Sequence, residues 1–152
     1  TACSHSDICM KGLETPVMGH LPEKQAKALA EILYKYTSTP DNCYFAIWDG
    51  WGYPSLKMLE KQTTSFQLYD RSYYLVKGDI RTVIADISSS IPPAIWWPQD
   101  RAWCVATDVD MLWSYVGAEK NCIDEILMDK SLEAWFATLD DRADVDGDEI
   151  NI

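Results

Sequence analysis

The sequence predicts a single α+β domain: a mixed or mainly antiparallel sheet flanked by three or four helices. Three observations lead there. A chain of 152 residues, 47% hydrophobic and 24% charged, has the size and composition of one globular unit. Near residues 21–37, 79–91 and 121–139, apolar side chains recur every three or four positions, the period of a helix with one buried stripe. Between them lie short runs of two-residue alternation, the period of a strand.

Residues 1–20 carry Gly12, Pro16 and Gly19 and no sustained period, so a loop-like arm is expected. Cys3, His5, Cys9 and His20 are potential zinc ligands there. The tight ligand pairs of a structural zinc site are missing, and an arm without metal is the simpler expectation. The domain proper is expected over residues 21–139. Pro22 suits a first helical turn and Glu23 the positive end of its dipole. Ala26, Leu29, Ile32, Leu33 and Tyr36 form the apolar stripe, and Pro40 ends the run. Cys43–Trp48 follows as a strand. Its two sides, Cys43, Phe45 and Ile47 against Tyr44, Ala46 and Trp48, are both apolar, so cover on both is expected. Asp49-Gly50 and Gly52 supply turn chemistry around Trp51.

Residues 65–79 read as two short strands or one bent strand, with Tyr73–Lys77 in the sheet and a bend at Asp70-Arg71. Asp79 is placed to cap a helix whose stripe is Ile80, Val83, Ile84 and Ile87. After Pro92-Pro93, Ile95, Trp96 and Trp97 fit a short edge strand, because Pro98 cannot donate to a ladder. Trp103–Asp108 is expected as a core strand. Trp103, Val105, Thr107 and Val109 share one of its faces, and Ala102, Cys104, Ala106, Asp108 and Asp110 the other. Leu112–Val116 is expected to pair with it. Two helices close the domain. The first buries Cys122, Ile123, Ile126 and Leu127; the second, capped by Ser131, buries Leu132, Trp135, Phe136 and Leu139. Residues 140–152 form an acidic tail, expected to be mobile; its six acids against Arg142 alone supply −5 of the net −11.

That net charge argues against nucleic-acid binding, which needs clustered Lys and Arg, and against anionic membranes. No apolar run approaches the ~20 residues needed to span a bilayer. Five cysteines without tight spacing fit a reducing compartment, so a cytoplasmic protein is expected. The tail resembles a calcium loop only superficially. With Asp144, Asp146 and Asp148 as first ligands, the position that requires glycine holds Glu149. Nothing in the chain implies a cofactor. For nucleophilic catalysis the inventory is poor, since Cys104 has no base beside it and no G-x-S-x-G or phosphate-binding loop occurs. Asp108 and Asp110, on one face of a strand and ~7 Å apart, are a possible carboxylate pair, although turn capping is their commoner use.

The stretch AIWWPQDRAWCVATDVD, residues 94–110, holds three of the seven tryptophans together with Asp100-Arg101. Arg101 can stack on a tryptophan or fork onto a carboxylate, and the same pair can latch the loop between Trp97 and Ala102. With TPDNCYFAIWDGWG and YYLVKGD, this stretch resembles a family of small bacterial proteins with a Trp-Trp-Pro-x-Asp-Arg-Ala-Trp-Cys-Val-Ala-Thr core and a Tyr-Val-Gly soon after. The likeness runs from Leu21 to Leu139. That family has no assigned activity, so the resemblance carries no site residue across.

The expectation that follows is an interaction protein, an immunity protein or antitoxin neutralising a basic partner. The alternative is a small-ligand or carbohydrate-binding domain with tryptophan platforms, and a third reading is an enzyme using aspartate acid–base chemistry through Asp100, Arg101 and Asp108. No catalytic residue is singled out from sequence. The candidate ligand or partner residues are Trp48, Trp51, Trp97, Asp100, Arg101, Trp103 and Asp108.

Overall fold

The structure, a computed structural model, describes residues 17–87 and 91–141. Its elements in chain order are α1 (Glu23–Tyr34), β1 (Cys43–Trp48), a single 3-10 turn (Asp49–Trp51), α2 (Leu56–Gln62), β2 (Thr64–Leu68), β3 (Arg71–Gly78), α3 (Ile80–Ile87), β4 (Ile95–Pro98), β5 (Trp103–Ala106), β6 (Tyr115–Ala118) and α4 (Lys120–Met128). The strands make one six-stranded sheet in the order β2-β3-β1-β4-β5-β6, and every neighbouring pair is antiparallel. The chain is therefore a single α+β domain with four helices among the described residues.

The sequence explains most of these elements locally. Helix α1 buries Ala26, Leu29, Ile32 and Leu33 of the stripe its spacing announces, with Ala30 beside them, and ends before Tyr36. Helix α3 starts where Asp79 accepts the Arg81 and Thr82 backbone N–H groups, each at 2.9 Å. Those bonds, that of Thr82 above all, hold the Asp79 carboxyl below its ordinary range. The core gathers α1, α3 and α4 over Cys43, Phe45, Trp96, Trp103 and Val105. Helix α2 packs beside it, with Leu56 and Leu59 against Ile47, Tyr74 and Val76. Burying a side chain as large as Trp96 or Phe45 stabilises the fold by about 1.5–3 kcal/mol each.

All of those sheet residues share one side. Among the described residues the two sides of β1 are covered differently: the four described helices lie on the Cys43–Phe45–Ile47 side, and on the Tyr44–Ala46–Trp48 side neighbouring side chains rather than a described helix bury Ala46. An edge position for Ile95–Trp97 is corrected, since β4 pairs with β1 and β5. Pro98 costs little there because it ends the strand, opposite Cys43, and the Gln99 N–H resumes pairing with the Asn42 carbonyl at 2.9 Å.

The last expected strand begins later, at Tyr115 rather than Leu112. Residues 108–111 turn first, with the Asp110 N–H on the Asp108 carboxylate at 2.9 Å and the Met111 N–H on the Asp108 carbonyl at 3.1 Å. Helix α2 is an element the periodicity did not single out. Leu127 on α4 is exposed rather than inward. No helix forms at residues 131–139. The Asp129 carboxylate takes the Ser131 N–H at 2.8 Å and hydroxyl at 2.6 Å, making a turn, and Trp135, Phe136 and Leu139 lie in solvent. Cys3, His5, Cys9 and the acidic residues 144–149 fall outside the described residues.

Candidate binding face

Strand pleating sends Tyr44, Ala46 and Trp48 of β1 to the side that is helix-free among the described residues, with Tyr73, Leu75 and Lys77 of β3, Ile95 and Trp97 of β4, and Cys104 and Ala106 of β5. Ala46 lies at the centre and is fully buried although no helix among the described residues covers it. Its small side chain leaves space over which Trp48, Ile95 and Trp97 close, while Phe66 stacks on Tyr73 at 5.6 Å. The result is a flat ring-paved face whose two ends, Tyr44 and Trp48, are separated by four residues of strand, ~13 Å.

At the first end, antiparallel register sets Tyr44 between Trp97 and Lys77. The Tyr44 and Trp97 rings stack with centroids 5.7 Å apart and planes 20° from parallel. Lys77 Nζ stands 5.2 Å from the Tyr44 ring centre and donates to Gln99 Oε1 at 3.4 Å. Tyr44, Leu75, Trp97, Gln99 and Arg101 line an open hollow of about 380 Å³. Arg101 belongs to the β4–β5 turn, closed by its own N–H on the Pro98 carbonyl at 3.0 Å. Its φ of 59° lies in the left-handed region that favours glycine.

Asp100 holds this turn in place. Its carboxylate accepts the Ser38 N–H at 2.7 Å, the Ser38 hydroxyl at 2.8 Å, the Thr37 hydroxyl at 2.8 Å and the Ala102 N–H at 3.1 Å. Partial burial opposes its ionisation, but these bonds together outweigh that and keep the carboxyl below its ordinary range. Asp100 thus ties the hairpin to the segment after α1.

At the other end, Arg71 lies 5.8 Å from the Trp48 ring centre and bonds Asp108 at 3.1 Å and Asp110 at 2.8 Å. The strand expected over Trp103–Asp108 ends at Ala106, so the carboxylate pair expected on one strand face lies beyond it instead and clamps an arginine. Trp51 meets Trp48 edge-on at 5.5 Å, and Tyr53 stacks on Trp51 at 6.0 Å. Gly50 makes this possible, because a Cβ there would sit 2.1 Å from the Trp48 ring. The Trp51 indole N–H is buried without a hydrogen-bond partner among the described residues.

Of the candidates read from sequence, Trp97 and Arg101 meet at the first end, Trp48, Trp51 and Asp108 at the second, and Asp100 stands behind the first. Trp103 belongs elsewhere. It is 2% exposed in the core, donates its indole N–H to the Leu33 carbonyl at 3.0 Å and meets Trp96 edge-on. Tyr44, Arg71, Lys77 and Gln99 were not among the candidates. Parity put Tyr44 and Trp48 together on β1, but only cross-strand register brings Lys77 and Trp97 beside Tyr44. Among the described residues, no three His, Cys, Asp or Glu side chains gather as a metal site. Compared with known proteins, the chain matches no family model, no curated protein and no solved structure.

Proposed function

We propose that this chain is a protein-binding module that meets its partner through the helix-free face of the sheet. The supporting observation is the set Tyr44, Trp48, Leu75, Ile95 and Trp97, partly exposed on a flat surface that no helix among the described residues covers. Large rings with few rotatable bonds make interface anchors at low entropic cost. The face is also polarised, with Lys77 and Arg101 at one end and two carboxylates around one arginine at the other. Such an arrangement fixes a partner's orientation. The net charge of −11 speeds encounter with a basic partner, as an immunity protein or antitoxin in the cytoplasm requires. No helix among the described residues is long and apolar enough to cross a membrane.

The test is a pull-down from extract of the source cells with the native chain, Leu75→Glu and Lys57→Ala, the last on exposed α2. A basic protein retained by the native chain and by Lys57→Ala, and lost with Leu75→Glu at unchanged thermal stability, is the expected result. Equal retention by all three sinks the reading. A second reading, a carbohydrate-binding domain, is favoured by the stacked Tyr44–Trp97 rings beside Gln99 and Arg101. Titration with a panel of monosaccharides, followed by tryptophan fluorescence, tests it.

A further inference from the structure

The two ends of the face differ in one respect that fold and charge count do not require. Arg71 is neutralised by Asp108 and Asp110, whereas Lys77 is held by an amide and a ring, and Arg101 makes no ion pair among the described residues. The acid next to Arg101, Asp100, has its carboxylate occupied by Thr37, Ser38 and Ala102. A chain of net charge −11 thus keeps, among its described residues, two cations without an ion pair beside a stacked aromatic pair. Arg101 keeps its place against backbone preference, since its left-handed turn position is one that glycine fills without strain. Backbone strain of this kind clusters at sites of function.

We propose that the hollow formed by Tyr44, Leu75, Trp97, Gln99 and Arg101 seats a carboxylate side chain from an extended, locally acidic segment of the partner protein, whose charge is basic overall. This rests on the protein-binding reading above. The argument is charge complementarity at a defined point. A guanidinium fork takes both oxygens of one carboxylate, and the Lys77 ammonium, two strands away and bonded to Gln99 of the hollow, adds a second positive charge. The stem of a glutamate has the length and apolar character to lie along the Trp97 ring. A hollow of about 380 Å³ on a flat face suits one or two side chains of an extended chain better than a folded surface. Acidic groups are repelled by the molecule as a whole and attracted at this spot, which makes the contact selective.

The experiment uses the full chain, labelled with nitrogen-15 and titrated with end-blocked pentaglutamate, pentaglutamine and glucuronate. Pentaglutamate is expected to shift the Trp97 indole resonance saturably, with pentaglutamine leaving it in place. Arg101→Gly is the decisive variant because it relieves backbone strain and so holds the fold. It is expected to weaken pentaglutamate at least about tenfold, and Lys77→Gln about threefold, at undiminished melting temperature. The proposal is overturned if pentaglutamate moves nothing, if Arg101→Gly binds it as the native chain does, or if glucuronate binds the hollow more tightly through Arg101. In the last case the site belongs to an acidic sugar. Loss of this inference leaves the parent reading standing where Leu75→Glu still releases a partner. Both fail together only if that variant also retains everything.

Discussion

The Asp100 carboxylate receives the Ser38 backbone N–H at 2.7 Å across 62 positions of sequence, and this contact joins the β4–β5 hairpin to the segment after α1. A charged acceptor taking several donors is worth more than a neutral one. Asp100→Ala should therefore cost about 1–2 kcal/mol in urea unfolding and loosen Arg101, so that pentaglutamate affinity falls with stability. Asp100→Asn should lose less, because its side-chain oxygen still accepts. Equal stability of the native chain and Asp100→Ala would remove the latch from the account.

The same carboxylate sets a pH dependence. Its folded pKa lies below the ordinary value of 3.8, so its contribution is fully present above that value and fades as pH falls through the lower, folded one. Asp79 shifts in the same direction. Melting temperatures of the native chain and Asp100→Asn, followed from about pH 7 down to about pH 2, should differ most at neutrality. They should converge once both carboxyl states are protonated. A gap that widens in acid would contradict the hydrogen-bond assignment.

Tyr69 closes the two-residue turn between β2 and β3 at φ 55° and is 95% exposed. Turns of this kind take glycine at left-handed positions, and a side chain there costs about 1–2 kcal/mol. Glycine returns part of that through the greater freedom of its unfolded chain. Tyr69→Gly should accordingly raise stability by about 0.5–1 kcal/mol in urea unfolding, with the sheet unchanged. A loss of stability would mean that the exposed ring packs on something in solution.

How much of this was legible beforehand depends on how local each cause is. The α1 stripe and the bounds of β1 follow from neighbouring residues, and both were readable. The helix-free face was not. Tyr44, Ala46 and Trp48 looked like residues needing cover, and only the register that sets Trp97 and Lys77 against Tyr44 shows rings covering Ala46 themselves. Leu132, Trp135, Phe136 and Leu139 have helical spacing, yet a nine-residue helix is marginal without a surface to dock on, and the Asp129–Ser131 turn prevails. Arg101's left-handed backbone leaves no trace in sequence, since glycine is the residue that would have announced it.

Trp103 tests the core. Its indole N–H is the donor for the Leu33 carbonyl at 3.0 Å, inside the layer where α1 meets the sheet. Trp103→Phe removes ring volume and leaves that carbonyl without this donor, and the two losses together should cost about 2–4 kcal/mol. Calorimetry should register a lower melting temperature with the fold retained. A cost below about 0.5 kcal/mol would mean that the bond contributes nothing.

The cysteines report which side of the sheet is open. Desolvation by burial is the main cause that pushes Cys43 up to about 12 and Cys122 up to about 11, so neither carries useful thiolate near neutral pH. Burial raises the Cys104 thiol too, but its residue is exposed on the helix-free face. In a Cys3→Ser, Cys9→Ser background, iodoacetamide at about pH 8 should modify Cys104 first. Cys43 and Cys122 should follow only as the chain unfolds, which peptide mass mapping over time would show. A bound partner should then protect Cys104 while leaving the slow pair unchanged, because it covers the face and not the core. Equal rates at all three thiols in the native protein would mean that the helices do not seal their side of the sheet, and the assignment of the other side as the docking face would go with it.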